Sequence, residues 1–203
     1  MKNSPTFDIE KELFYMGYEH VIGVDECGRG PGAGPVVAAA VKISPEAMHG
    51  LIGVVNDSKK LSEKKRRELC LLIMNTCEWG IGSIDNQIID EINILEATKL
   101  AMRMAIVEIK DVDYVLIDGN FRIKELDIQH QPIIKGDSLS LSVAAASIVA
   151  KVHRDAVMTK LHETFPLYGW DTNKGYLTKK HIEAIKEYGV TEFHRLSFKK
   201  VGK

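Results

Sequence analysis

The stretch Val21-Ile22-Gly23-Val24-Asp25-Glu26-Cys27-Gly28-Arg29-Gly30-Pro31-Gly32-Ala33-Gly34-Pro35-Val36-Val37-Ala38-Ala39-Ala40-Val41 sets an apolar run, two acids, a glycine-rich turn and a second apolar run in immediate succession. The two apolar runs read as strands over 20–25 and 35–43, short enough in their connection to pair as a hairpin. The turn carries few side chains, so the carboxylates of Asp25 and Glu26 stay uncovered, with backbone N–H groups beside them. Strand alternation points the two acids to opposite faces. Both serve one site only if the chain bends there, and Gly28 and Gly30 permit that bend.

Outward from the hairpin, Ser62 is an N-cap for a helix reaching Thr76, and 79–84 is another strand. Apolar residues at Ile92, Leu95, Leu100, Met104 and Val107 predict one long helix over 88–109. The apolar strand Tyr114-Val115-Leu116-Ile117 follows and ends on Asp118-Gly119. A further strand over 128–135 leads through Gly136-Asp137 into a helix over 141–165, and a last helix covers 178–188. Strands first and alternating elements later indicate an α/β fold with a mixed sheet. The composition shifts past Pro166, which divides the chain into a catalytic domain, 1–170, and a small helical C-terminal subdomain, 171–203.

Lys plus Arg number 27 against 28 Asp plus Glu, so affinity for nucleic acid must come from the placement of charge and not from its total. Basic residues gather in two places: Lys59, Lys60, Lys64, Lys65, Arg66 and Arg67 around one helix start, and the C-terminal segment from Lys174 to Lys203. The three cysteines, Cys27, Cys70 and Cys77, lack Cys-x-x-Cys spacing, which argues against a disulfide framework or a zinc knuckle. The amino end mixes Lys2 and Lys11 with Asp8, Glu10 and Glu12 and does not read as a signal peptide; no apolar run has the length of a membrane span. A cytoplasmic protein, off the membrane and monomeric, is expected.

Asp25, Glu26, Asp118 and Asp137 each stand at the end of an element, where an open α/β sheet collects ligands and distant residues converge. Gathered carboxylates raise one another's pKa, and a divalent cation resolves that conflict. All-oxygen ligation favours Mg²⁺ or Mn²⁺, and two such ions can activate a water and stabilise a leaving alkoxide in phosphodiester hydrolysis. Taken singly, each acid reads more readily as a solvated strand cap, and the case rests on the four together. Gly28-x-Gly30-x-x-Ala33 matches a lax dinucleotide-binding fingerprint, but a strand follows it instead of a helix, and two acids precede it. Serine-hydrolase, phosphate-loop and His-Glu-x-x-His motifs are absent from the sequence.

The segments Gly23-Val24-Asp25-Glu26-Cys27-Gly28-Arg29-Gly30-Pro31, Asn56-Asp57-Ser58-Lys59-Lys60-Leu61-Ser62, Leu116-Ile117-Asp118-Gly119-Asn120, Lys135-Gly136-Asp137, Ala144-Ala145-Ala146-Ser147-Ile148-Val149-Ala150-Lys151-Val152-x-Arg154-Asp155, Asn173-Lys174-Gly175-Tyr176 and His194-Arg195-x-Ser197-Phe198 resemble bacterial type 2 ribonuclease H, ribonuclease HII. The resemblance implies an RNase H-like fold and metal-dependent cleavage of RNA in RNA–DNA hybrids. It also implies incision on the 5′ side of single ribonucleotides in duplex DNA, leaving 3′-hydroxyl and 5′-phosphate ends. By likeness, Asp25, Glu26, Asp118 and Asp137 are the catalytic, metal-binding acids. The backbone of Gly28, Arg29 and Gly30 reads the ribose 2′-hydroxyl, the group that separates RNA from DNA. Tyr176 packs on the following deoxyribose, and Lys59 and Lys60 hold duplex phosphates.

Two departures stand out: Cys27 where alanine is commoner, a point of oxidation sensitivity, and Gly32 in place of leucine, which adds freedom to the loop. Lys151 and Asp155, four apart, are expected to form an ordinary ion pair. A DNA junction resolvase of the same fold and a non-catalytic nucleic-acid-binding module are the alternative readings.

Overall fold

The computed structural model describes residues 4–124 and 126–202. Five strands, β1 (Val21–Cys27), β2 (Val36–Lys42), β3 (Glu78–Ile84), β4 (Tyr114–Asp118) and β5 (Gln129–Ile133), form one sheet in the order β3-β2-β1-β4-β5. β1–β2 and β2–β3 pair antiparallel, whereas β1–β4 and β4–β5 pair parallel, so the sheet is mixed as its sequence pattern predicts. The hairpin of β1 and β2 forms, with Asp25 opposite Ala39 and Glu26 opposite Ala38.

Eight α-helices flank the sheet among the described residues: α1 (Asp8–Tyr15), α2 (Pro45–Leu51), α3 (Glu63–Thr76), α4 (Asn86–Ile92), α5 (Ile94–Val107), α6 (Leu141–Thr164), α7 (Trp170–Asn173) and α8 (Lys179–Tyr188). α6 covers one face, where Ala39 and Val41 meet Ala144, Ala145 and Ile148. α5 covers the other, where Val24, Ala38 and Ala40 meet Ala97, Ala101 and Ala105. Small residues let both helices come close. A Cβ on Gly23 would collide with the Val143 and Ser142 backbone of α6, and one on Gly82 with the Ala101 carbonyl of α5.

Ser62 caps α3 through a bond from the Lys65 N–H (3.3 Å), as the sequence predicts, and Thr178, expected as the first residue of the last helix, caps α8 through His181 N–H (3.3 Å). The single helix expected over 88–109 is instead two. Asn93 adopts φ +70° and ψ 164°, ending α4, and its Oδ1 accepts from Leu95 N–H and Glu96 N–H at 2.9 and 3.2 Å to start α5. Apolar periodicity runs through the break because both helices pack on the same core, which hides it from the pattern. The short helices α1 and α2 were not anticipated, although Ser44-Pro45 is an N-cap followed by proline at the first helical position.

The C-terminal residues return to the hairpin turn. Gly32 N–H donates to Gly175 O (2.9 Å), Gly34 N–H to Phe193 O (2.9 Å) and Arg195 N–H to Gly32 O (2.8 Å). Trp170, Tyr168 and Met158 form a cluster with Ala33 and Ala184 beneath this contact. A chain of hydrogen bonds runs through it. Trp170 Nε1–H donates to His181 Nε2 (3.2 Å), and that nitrogen lies 3.1 Å from His194 Nε2.

Candidate active site

Parallel pairing of Val24 with Ile117 brings Asp25 and Asp118 to the same end of adjacent strands. Asp25, Glu26 and Asp118 each offer an oxygen, and these lie within 4.8 Å of one another. The bend expected at the acid pair falls later: β1 stays paired through Cys27, opposite Val37, and the chain turns at Gly28 with φ +101°. Asp25 and Glu26 still meet without that bend, both bringing an oxygen to Asp118, where β4 ends. Asp137 lies outside that group. It sits in a 3-10 turn (Gly136–Ser138) whose Gly136 N–H donates to Asp118 Oδ1 (2.7 Å), and its Oδ2 lies 3.4 Å from Lys59 Nζ.

The electrostatics follow from this crowding. Asp25 is held well above the usual carboxylate range, first by burial and then by the charges of Glu26 and Asp118. Burial also raises Glu26, against the pull of Arg29, whose Nη1 is 3.4 Å from Glu26 Oε1. Asp118 is raised by burial and then by Asp137, which places the fourth acid within electrostatic reach. Glu26 Oε2 is buried with no hydrogen-bond partner. A buried carboxylate oxygen without a donor, facing other acids, is unfavourable unless a cation supplies the missing charge. The donor set, all carboxylate oxygen, therefore fits a hard divalent ion.

Beside the acids opens a cavity of about 290 Å³ lined by Glu26, Cys27, Gly28, Arg29, Gly30, Ser58, Lys59, Ser147, Lys151 and Tyr176. Of the residues expected to touch substrate, Lys60 is not among the lining residues; its Nζ lies 3.5 Å from Asp57 Oδ2. A Cβ on Gly30 would stand 3.4 Å from the Tyr176 ring, so the loop and the tyrosine form facing walls. Arg29 also lies over the Phe121 ring, at 5.9 Å.

Two expectations about this loop are corrected. Gly32 adds no freedom, because its N–H and C=O are both bonded and its Cα packs under Leu177. Cys27 is a poor oxidation target: burial pushes its thiol pKa up and suppresses the thiolate. Lys151 and Asp155 do pair, at 2.7 Å, and Asp155 also faces Arg66 at 3.7 Å.

Sequence reasoning missed three contributors. Ser147, on α6, stands close enough to Asp25 to favour its ionised form and meets Ser58 Oγ at 2.9 Å. Arg154 and Arg195 hold the glycine loop from behind; burial, followed by the Arg154 charge, lowers Arg195 to about 9, which leaves it charged at neutral pH. Both stand in segments that carry the family resemblance, but beside His153, Asp155 and His194 the sequence alone does not distinguish them from surface charge.

The family model described as Ribonuclease HII matches residues 22–201. A Ribonuclease HII of Desulfotalea psychrophila is 48% identical over 200 residues, covering 96% of this chain and 87% of that protein. The chain belongs to the ribonuclease HII family. A solved PCNA:RNase HII complex from Archaeoglobus fulgidus has a subunit with TM-score 0.77 and 29% identity, covering 89% of this chain and 96% of that one. Bst-RNase HIII in complex with Mn²⁺ shares the fold at TM-score 0.70 and 22% identity, over 93% of this chain and 70% of that one. Ribonuclease HII membership makes this protein an endoribonuclease of RNase H type 2, a hydrolase acting on RNA in RNA–DNA hybrids. Its fold is RNase H-like, and its acidic cluster suits divalent metal.

Proposed function

We propose that the protein incises duplex DNA on the 5′ side of a single embedded ribonucleotide, as well as hybrid RNA, leaving 3′-hydroxyl and 5′-phosphate ends. The observation that carries this reading is the contact of two features: three converging carboxylates, one with a buried unpartnered oxygen, and a glycine loop walled by Tyr176. Asp25, Glu26, Asp118 and Asp137 are the residues that would hold Mg²⁺ or Mn²⁺. Such ions, when bound, supply Lewis-acid activation of a water and charge stabilisation at the departing 3′-oxygen.

The chain's own groups perform the rest. Asp25 accepts a bond from Glu26 N–H (2.6 Å), so its carboxylate is oriented before substrate arrives. Glycines at 28 and 30 let the main chain approach a ribose, and Tyr176, about half exposed, offers a ring to the next sugar. Lys59 lines the cavity with its Nζ 3.4 Å from Asp137 Oδ2, where it balances that acid and can engage a phosphate. Lys60 and the basic C-terminal subdomain, 171–203, contribute sequence-independent contacts to the duplex, acting as part of a monomer.

The test uses three labelled substrates with Mg²⁺: a DNA duplex with one ribonucleotide, its all-DNA twin and a four-way junction. Cutting of the first alone, at the 5′ side, is expected. Cutting of the junction favours a resolvase, and binding without cutting favours a non-catalytic module; either result overturns the proposal.

A further inference from the structure

Arg154, on α6, and Arg195, near the C-terminus, are both fully enclosed. Each directs its guanidinium at backbone carbonyls. Arg154 donates to Pro35 O (2.9 Å), Lys174 O (2.9 Å) and Ala33 O (3.1 Å). Arg195 donates to Gly34 O (2.8 Å), Gly28 O (2.7 Å) and Arg29 O (3.1 Å). Neither forms a direct ion pair among the described residues, Asp155 and Asp90 acting on them only from beyond contact, and enclosing two cations near each other without a contacting anion is strongly unfavourable unless something is gained.

What is gained is the direction of two amides. Every described peptide bond is trans, so each N–H points opposite to the C=O of its own peptide group. With the Gly28 and Arg29 carbonyls turned inward to Arg195, the N–H groups of Arg29 and Gly30 point the other way, at the side of the loop that lines the cavity. Neither amide has a hydrogen-bond partner among the described residues. The fork geometry matters: a guanidinium satisfies diverging carbonyls at once, which a lysine ammonium does not reproduce.

We propose that Arg195, backed by Arg154, is the positioning residue for ribose discrimination: it turns the Gly28 and Arg29 carbonyls inward so that the Arg29 and Gly30 amides form a two-donor seat for a ribose 2′-oxygen. This deepens, and rests on, the reading of the glycine loop given above. The buried charge also polarises the two peptide groups, strengthening their N–H donors.

The test compares binding of a duplex with one ribonucleotide and of its all-DNA twin, in an Asp25→Asn background that leaves the duplex uncut. Adding Arg195→Lys is expected to reduce the ribonucleotide preference by about tenfold while affinity for the all-DNA twin changes by less than about twofold. A preference retained by the folded Arg195→Lys protein overturns the proposal and leaves the loop reading intact. Equal loss of both affinities assigns Arg195 a merely structural role and also overturns it. No preference in the Asp25→Asn parent defeats the loop reading, and the proposal with it. If Arg195→Lys does not fold, the parent decides: the Arg29 and Gly30 amide resonances should shift with the ribonucleotide duplex and not with its twin. Identical shifts with both refute the seat.

Discussion

Asp25 buries a carboxyl against two others, and that crowding costs stability until a cation arrives. Asp25→Asn keeps the oxygen that accepts from Glu26 N–H and removes the repulsion. It should lower incision by several orders of magnitude while raising metal-free stability, because a buried carboxyl crowded by Glu26 and Asp118 is replaced by a neutral amide. Incision assays and denaturant unfolding without metal check the two halves; normal cutting by the variant would refute the role. At Gly28, φ is +101° and a Cβ would collide with the Arg154 side chain. Gly28→Ala should therefore displace the arginine and cost roughly 3 kcal/mol, seen as a lowered urea midpoint. The glycine's importance was legible in the sequence as a turn, but its reason was not. What it makes room for is a side chain on α6, 126 positions along the chain by residue number.

Among the elements, strands and the capped helices were readable because their signals are local. Ser62 caps where expected, the last helix forms over its expected stretch, and the apolar runs of β1, β2 and β4 are strands. The α4–α5 break was not readable, because Asn93 interrupts the helix with its backbone while the apolar spacing continues past it. Asn93→Ala removes two hydrogen bonds to the first turn of α5 and places alanine at φ +70°, so a loss of about 2 kcal/mol is expected in equilibrium unfolding. An unchanged midpoint would show that tertiary packing alone fixes the break. Close packing of α6 on β1 predicts that Gly23→Ala is more damaging than Ala→Gly changes on the helix, since the glycine Cα meets backbone that cannot yield.

Across the whole molecule, two equilibria report on assembly. Mg²⁺ or Mn²⁺ should raise the melting temperature by roughly 5 °C at about a hundredfold excess over Kd, because it binds the converged acids and not the unfolded chain. No shift at millimolar metal would count against a shared site. The C-terminal histidine pair gives a second handle. Burial, then the neighbouring His181, lowers His194 to about 4. An unfolded histidine titrates near about 6.5, so between these values the unfolded chain binds the extra proton. Stability from this site is complete above about pH 6.5 and is lost as pH falls toward 4, at up to about 1.4 kcal/mol per pH unit. His194→Gln should remove that slope, measured by urea unfolding at several pH values; an unaltered slope would place the titration elsewhere.

The sequence by itself determined the mixed α/β class, the hairpin and the glycine turn, since each is written in a few adjacent residues with strong local preference; it marked Asp25, Glu26, Asp118 and Asp137 only as acids at element ends. Tertiary structure alone decided that Asp137 stands beside the other three acids and not among them, that Lys59 pairs with it, and that two enclosed arginines aim the turn. Those outcomes depend on contacts between residues far apart in the chain. Such contacts follow from how helices and strands pack, which no local pattern records.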